Sequence, residues 1–141
     1  MKKDKIHFAV DKSNKQNHRR INFINKYKNH SPKNADVIVV LGGDGFMLQT
    51  LKKLRKFKKP FYGMNTGSYG FLMNKFRNKD FQKHLSKSRP ITIFALQMIV
   101  KTKSRKVRRG IAINEISMFR QSKQTASLQI RKGKNIFIKK L

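Results

Sequence analysis

The chain has 141 residues, no cysteine, and 35 lysines and arginines against 6 acidic residues, which gives a formal charge of +29. The missing cysteines exclude disulfides and thiolate metal sites, and the apolar runs are too short for a membrane span or a secretory signal. The length allows one domain, or one small domain with part of a second, and 38% hydrophobic residues suffice for a core. We therefore expect a soluble cytoplasmic protein.

The positive charge has two interpretations. A field of this strength attracts nucleic acids or anionic membranes. However, AT-rich coding also favours lysine, and the lysines here are spread over every segment instead of forming one basic stripe. We favour the second interpretation, in which the lysines form a solvated surface, and we expect neither a membrane nor a nucleic acid as partner. The same field would still attract anionic nucleotides.

The first predicted elements are a strand and a helix. The strand covers residues 6–10, and the helix is capped by Ser13 or Asn14 and runs through Tyr27. Its apolar face is predicted to include Ile21, Ile24 and Tyr27 or Lys28. A strand followed by an amphipathic helix is the expected beginning of an α/β unit.

The central feature of the sequence is an apolar run at residues 37–41, preceded by Asp36, that ends in the turn Gly42-Gly43-Asp44-Gly45. Such a continuous run is typical of a strand buried on both faces of a parallel sheet. Residues 46–57 follow a helical pattern, so the turn opens a helix whose N-terminal amides favour an anion. Since ligands bind at the carboxyl ends of such strands, we predict that Asp44 lies in a phosphate-handling site. The alternative is an ordinary tight turn.

A second glycine-bearing loop follows the next predicted strand, at residues 60–65. It contains Gly67, Gly70 and Phe71. Several glycines at a strand end suit a backbone that folds around a ligand. Phe71 either packs against a base or belongs to the core, and the residues alone leave both possibilities open. Neither glycine loop has the P-loop or the dinucleotide-binding pattern.

The second part of the chain changes character after a short predicted helix at residues 79–86. The apolar period shifts to two, which predicts strands only, at residues 91–101, 107–120, 126–131 and 135–139. Helices alternating with strands, followed by strands alone, predict two domains. We expect an α/β domain with a parallel sheet at residues 1–88 and the incomplete beginning of a β-rich domain at residues 89–141.

The third candidate site is the pair Asn114 and Glu115, which interrupts the apolar segment 111–119. Burying both groups without partners would be costly. We therefore favour a ligand-binding role, with the two side chains holding ribose hydroxyls, over a turn in which both face water. The histidines show no ligand spacing and no nucleophile has a base partner, so we assign no metal ligand and no acyl-transfer chemistry.

Together, the three stretches resemble the NAD kinase family. Its Gly-Gly-Asp-Gly motif matches residues 42–45, its Gly-x-Asn-x-Gly-x-x-Gly-Phe-Leu motif matches residues 63–72, and its Asn-Glu/Asp motif matches Asn114 and Glu115. Diacylglycerol-type lipid kinases and phosphofructokinases share the first motif, whereas the second and third separate NAD kinases from them. The resemblance implies an NAD kinase-like fold, an α/β domain followed by a β domain.

The resemblance also implies a reaction: transfer of a phosphoryl group from ATP, or from polyphosphate in some members, to the adenosine 2′-hydroxyl of NAD. Mg²⁺ or another divalent cation would assist. Asp44 would be the catalytic residue that deprotonates or orients the hydroxyl, and Gly45 would cradle phosphate oxygens. Asn114 and Glu115 would hold ribose hydroxyls of NAD, and Phe71 would border its adenine. The partners would be NAD and ATP, and the full-length form would be a homo-oligomer.

The sequence departs from the family pattern at its end. Family members continue into a longer β domain with a stretch of the type Thr-Pro-x-Gly-Ser-Thr-Ala-Tyr, which is not found here. We therefore expect an NAD kinase or an N-terminal fragment of one. One alternative is a non-catalytic basic remnant that binds nucleotides or polyanions. The other is a lipid kinase, which is disfavoured because residues 64–67 replace that family's Gly-Thr-x-Asn-Asp pattern.

Overall fold

The computed structural model describes residues 4–11, 18–67 and 70–141. The first part of the chain forms a four-stranded sheet whose three pairs of neighbouring strands are all parallel. Its strands, in their order across the sheet, are β1 (Ile6–Val10), β2 (Val37–Gly42), β3 (Phe61–Asn65) and β4 (Asn74–Lys75). The helices are α1 (His18–Asn25), α2 (Asp44–Leu54) and α3 (Phe81–Ser86), with a 3-10 turn at Arg55–Phe57. This architecture confirms the predicted α/β class.

Strand β2 is buried along its whole length. Its odd-numbered residues pack with buried residues of α1 and α3, and its even-numbered residues pack with Met47 of α2. Parallel neighbours on both sides complete its hydrogen bonding, with Val39 opposite Phe8 of β1 and Tyr62 of β3. Because both faces of the strand are covered, every position must be apolar, and this explains the uninterrupted run in the sequence.

The core on the side of α1 and α3 is largely aromatic. Phe23 of α1 is fully buried and lies at the centre of this cluster. Its ring lies 5.1–5.7 Å, centroid to centroid, from four others: Phe8, Tyr27, Phe76 and Phe81. Tilted and edge-on aromatic pairs of this kind stabilise a fold beyond the area that they bury.

Helix α1 differs from its prediction in its end and in its buried face. It ends at Asn25, and the predicted cap at Ser13 or Asn14 lies outside the described residues. The predicted apolar face is right for Ile24 and Tyr27, which pack against the core. It is wrong for Ile21, which is exposed, and the larger Phe23 is buried instead. A ring that contacts four other rings buries more apolar surface than one isoleucine, and this fixes the rotation of the helix.

The chain after α3 forms two antiparallel hairpins. Their strands are β5 (Leu96–Lys101) with β6 (Val107–Ala112), and β7 (Ile130–Lys132) with β8 (Asn135–Ile138). The antiparallel strands confirm the change of class from α/β to β. The division into two domains at residues 88 and 89 stays a prediction.

The strands of these hairpins are shorter than predicted. The strand predicted at residues 107–120 ends at Ala112, and residues 113–129 contain no strand. A strand needs a neighbour for its main-chain hydrogen bonds, and β6 has one only along β5. Large apolar side chains are exposed here, among them Ile91, Phe94, Phe119 and Phe137. In the described parts of the chain, no helix is long and apolar enough to cross a membrane.

Candidate functional site

The first glycine turn lies at the carboxyl edge of the parallel sheet, between β2 and α2. Gly43 has extended backbone angles and caps α2, so Asp44 is the first residue of that helix. The first amides of a helix have no partner within it, and together with the helix dipole they favour negative charge at this position. Asp44 is partly buried and Gly45 is exposed. The turn thus places a carboxylate and open backbone where an anion would be stabilised.

The glycines of this turn have different roles. A Cβ on Gly42 would lie 2.8 Å from Cδ1 of Phe46 and 3.2 Å from Cβ of Asp11, so the close approach of β1 and α2 requires glycine there. Within the part of the chain that the structure describes, a Cβ on Gly43 or Gly45 would meet nothing within 4 Å. One glycine therefore serves packing, whereas the other two border open space that a ligand could occupy.

Both oxygens of the Asp44 carboxylate accept hydrogen bonds from the second glycine loop. The backbone N–H of Phe71 donates to Oδ2 over 2.7 Å, and that of Leu72 donates to Oδ1 over 3.1 Å. A hydrogen bond to an ionised acceptor is stronger than one between neutral groups. The structure thus joins two of the three sequence motifs through one carboxylate, and each oxygen retains a further lone pair for a ligand.

The start of the second loop is held against the end of β2. Asn65 lies opposite Gly42 in the sheet, and the N–H of Thr66 donates to the carbonyl of Gly42 over 3.0 Å. Oδ1 of Asn65 accepts the N–H of Gly67 at 2.8 Å. A Cβ on Gly70 would lie 2.9 Å from Oδ1 of Asp44 and 3.0 Å from Nδ2 of Asn65. Glycine at position 70 therefore lets the loop approach Asp44.

Phe71 lies beside this carboxylate with its side chain fully exposed. Of the two possibilities left open by the sequence, the core position is wrong. The ring is held at the site through its own backbone N–H and contributes nothing to the buried aromatic cluster. An exposed aromatic ring next to an anion-favouring helix start can pack against a planar ligand.

Asn114 and Glu115 lie outside the strand in which they were expected. Asn114 is in a bend that follows β6, and both residues are exposed. The burial argument behind their prediction is therefore wrong, because it assumed a covered strand across residues 111–119. Among the described residues, no hydrogen bond connects either side chain to Asp44 or to the second loop.

Sequence reasoning missed two residues of this edge. Asp11 directly follows β1, and its N–H donates to the carbonyl of Leu41 over 2.9 Å. The rule that strand ends carry the site would have identified it. The second is Leu72, which takes part through its backbone N–H. A main-chain donor is common to almost every residue, so no sequence signal distinguishes this one.

Two other features bear on the location of the site. Within the described residues, no three His, Asp or Glu side chains are grouped so that they could hold a metal ion. An open cavity of about 980 Å³ is lined by residues such as Lys5, Tyr27 and Lys87, at the amino edge of the sheet. We place the candidate site at Asp44 nonetheless, because ligands of open α/β sheets bind at the carboxyl edge.

A glycine turn joining a buried parallel strand to a helix start is typical of α/β proteins that bind phosphate groups. Comparison with known families identifies the particular family within this class: residues 1–88 match the ATP-NAD kinase N-terminal domain. The chain therefore belongs to the ATP-NAD kinase family.

Individual relatives support the same assignment. The chain is 40% identical over 113 residues to an NAD kinase of Xanthomonas campestris pv. campestris, an alignment that covers 79% of this chain and 44% of the relative. It is 38% identical over 125 residues to an NAD kinase of Brucella suis, covering 89% and 49%. It is 47% identical over 98 residues to an NAD kinase of Zymomonas mobilis, covering 68% and 38%. The chain spans about half the length of the curated relatives it matches.

Proposed function

We propose that this chain carries the catalytic carboxylate of an NAD kinase, which transfers a phosphoryl group from ATP to the adenosine 2′-hydroxyl of NAD and forms NADP. The observation that carries the proposal is the position of Asp44. It follows the buried strand β2, begins α2, and is bound by amides of the second family motif over 2.7 and 3.1 Å. One carboxylate thus lies where the first glycine turn meets the second glycine loop, which supports a phosphate site beside a nucleotide-binding loop.

In the proposed reaction, Asp44 accepts the proton of the 2′-hydroxyl as its oxygen attacks the γ-phosphorus of ATP. The O–H bond breaks, a new P–O bond forms, and the bond from the γ-phosphorus to the bridging oxygen breaks, which releases ADP. The two loop amides use one lone pair on each carboxylate oxygen, so Asp44 can accept the hydroxyl while it remains bound to the loop. A general base must be within hydrogen-bond reach of its proton.

The phosphates would bind at the start of α2. None of the described residues lies within 4 Å of a Cβ placed on Gly43 or Gly45, so phosphate oxygens can come close to this backbone. Oriented backbone amides and the helix dipole stabilise such anions. The formal charge of +29 gives a field that attracts them from solution.

A divalent cation fits this site if the phosphates and water supply most of its ligands, as is usual for Mg²⁺. The acids at this edge of the sheet are Asp11 and Asp44, and one carboxylate is enough for such binding. When bound, the cation would neutralise charge on the transferring phosphoryl group. We assign no residue as its ligand.

The nucleoside part of NAD would use the remaining predicted residues. Phe71 is exposed beside Asp44 and would border the adenine. The side chains of Asn114 and Glu115 face solvent and would hold ribose hydroxyls. We also propose a cytoplasmic location, since a cysteine-free chain needs no oxidising compartment, and homo-oligomers of the complete kinase.

The charge of the chain favours a second candidate function, which is binding of nucleotides or other polyanions without catalysis. Calorimetry and an NADP assay distinguish the two. Saturable binding of NAD that persists at moderate salt, with NADP formed from NAD and ATP, supports the kinase. Binding that falls steeply with salt and is equally strong for heparin, without NADP formation, supports the second function and contradicts the first.

A further inference from the structure

We infer that Asp44 is also the positioning residue of the second glycine loop: its carboxylate fixes the segment Gly70–Leu72 and thereby holds Phe71 at the site. The role in nucleotide binding rests on the proposed function, whereas the positioning of the loop does not. A general base needs only one free lone pair, whereas both carboxylate oxygens of Asp44 accept hydrogen bonds from main-chain amides.

The loop is attached independently at its two ends. At its start, Thr66 is bound to the carbonyl of Gly42, and Gly67 is bound to the Asn65 side chain. At its end, Met73 packs against the core cluster of α2, and Nδ2 of Asn74 donates to the carbonyl of Gly63 over 3.1 Å. These contacts do not involve residues 70–72, which must be held by something else.

In the described segment 70–72, apolar burial cannot supply the attachment. The side chain of Phe71 is fully exposed, and that of Leu72 is exposed as well. Residues 70–73 have no regular secondary structure that would pair their amides. Between Gly70 and Leu72, the described hydrogen bonds of the backbone are the two that end on Asp44.

The loop also approaches Asp44 so closely at Gly70 that a side chain there would collide with the carboxylate. A Cβ there would lie 2.9 Å from Oδ1 of Asp44, closer than carbon packs against such an atom, and a tight 3.0 Å from Nδ2 of Asn65. At Gly67 a Cβ would meet, among the described residues, Oδ1 of Asn65 at an ordinary 3.6 Å. Gly67 and Gly70 therefore suit a comparison of alanine substitutions, because only at Gly70 would the added Cβ collide with Asp44.

This arrangement couples the two family motifs. If the carboxylate is removed, the middle of the loop gains conformational freedom that a ligand must then remove at a free-energy cost. Asp44→Ala would therefore weaken NAD binding as well as turnover. A carboxylate that acted as base alone would change turnover and leave the order of the loop unaltered.

Amide hydrogen exchange, resolved to single residues in the ligand-free 141-residue chain, tests the inference. In the wild type, the amides of Phe71 and Leu72 should exchange at least roughly tenfold more slowly than in an unstructured peptide. In Asp44→Ala this protection should be lost at both amides, while Val39 and Val40 in the core stay protected. A tenfold change in protection corresponds to about 1.4 kcal/mol.

Two further variants keep the test decisive. Gly70→Ala should remove the same protection with Asp44 still present, whereas Gly67→Ala should retain it. Exchange of both amides at the peptide rate in the wild type, or unchanged protection in Asp44→Ala, would overturn the inference. If Asp44→Ala also exposes Val39 and Val40, the comparison of Gly70→Ala with Gly67→Ala decides in its place. No nucleotide is present, so the outcome is independent of whether the chain makes NADP.

Discussion

Replacement of Asp44 by alanine should separate turnover from stability. The variant loses two amide hydrogen bonds, at 2.7 and 3.1 Å, and a negative charge in the first turn of α2. Each bond contributes about 0.5–1.5 kcal/mol net, and the charge about 0.3–1 kcal/mol. The carboxylate is only partly buried and water can rehydrate the loop amides, so we expect the lower end, about 1–2 kcal/mol.

The loss of turnover should be larger. Removal of a general base typically lowers the rate by about 10²–10⁴-fold, which corresponds to about 3–5 kcal/mol in the activation barrier. The strand that precedes Asp44 keeps both of its packed faces, so the variant should remain folded. NADP formation, measured with an NADP-specific dehydrogenase and normalised to the folded fraction from a urea titration, gives both quantities.

Asp36→Ala is the matched control for this prediction. It also removes a carboxylate that binds a backbone amide, the N–H of Lys5 at 2.8 Å, but immediately before the start of β2. We expect it to lose about 1 kcal/mol of stability and to keep its turnover per folded molecule. Turnover by Asp44→Ala within tenfold of wild type, or an equal loss in Asp36→Ala, would refute the role assigned to Asp44.

Two further predictions concern the same edge of the sheet. Gly42→Ala should lower the free energy of unfolding by about 1–3 kcal/mol, because its Cβ would lie 2.8 Å from Phe46 and 3.2 Å from Asp11. In urea titrations Gly43→Ala should stay within about 0.5 kcal/mol of wild type, and equal losses in the two variants would contradict the packing argument. Phe71→Ala should leave unfolding within about 0.5 kcal/mol, since the ring is exposed, but weaken NAD binding roughly tenfold or more by loss of base stacking. Calorimetry checks the second effect, and unchanged NAD affinity would remove Phe71 from the proposed site.

The sequence predicted the central strand and its turn well for a physical reason. A strand covered on both faces needs an apolar residue at every position, and such a run has few other interpretations. The glycines and the single carboxylate after the strand depend on local backbone geometry, which residues adjacent in the sequence determine. The structure bears this out in the close packing at Gly42 and in Asp44 as the first residue of α2.

Other features depend on partners that the sequence pattern does not name. The rotation of α1 was predicted from spacing alone, which included Ile21 in the buried face, whereas four aromatic rings from outside the helix select Phe23. The length of β6 depends on where its antiparallel neighbour β5 begins, since Ala112 lies opposite Leu96, so apolar alternation up to residue 120 overestimated it. The contact between Asp44 and Leu72 uses a main-chain N–H, which nearly every residue has, so the side-chain types in the sequence do not reveal it.

The two covered faces of β2 have a consequence for spectroscopy. Val39 and Val40 are adjacent in the chain, yet the first packs on the side of α1 and α3 and the second on the side of α2. Their methyl resonances would therefore act as separate reporters in a single short strand. Since α2 begins at Asp44, an anion bound at its start should shift the methyl resonances of Val40 more than those of Val39, which serve as an internal reference.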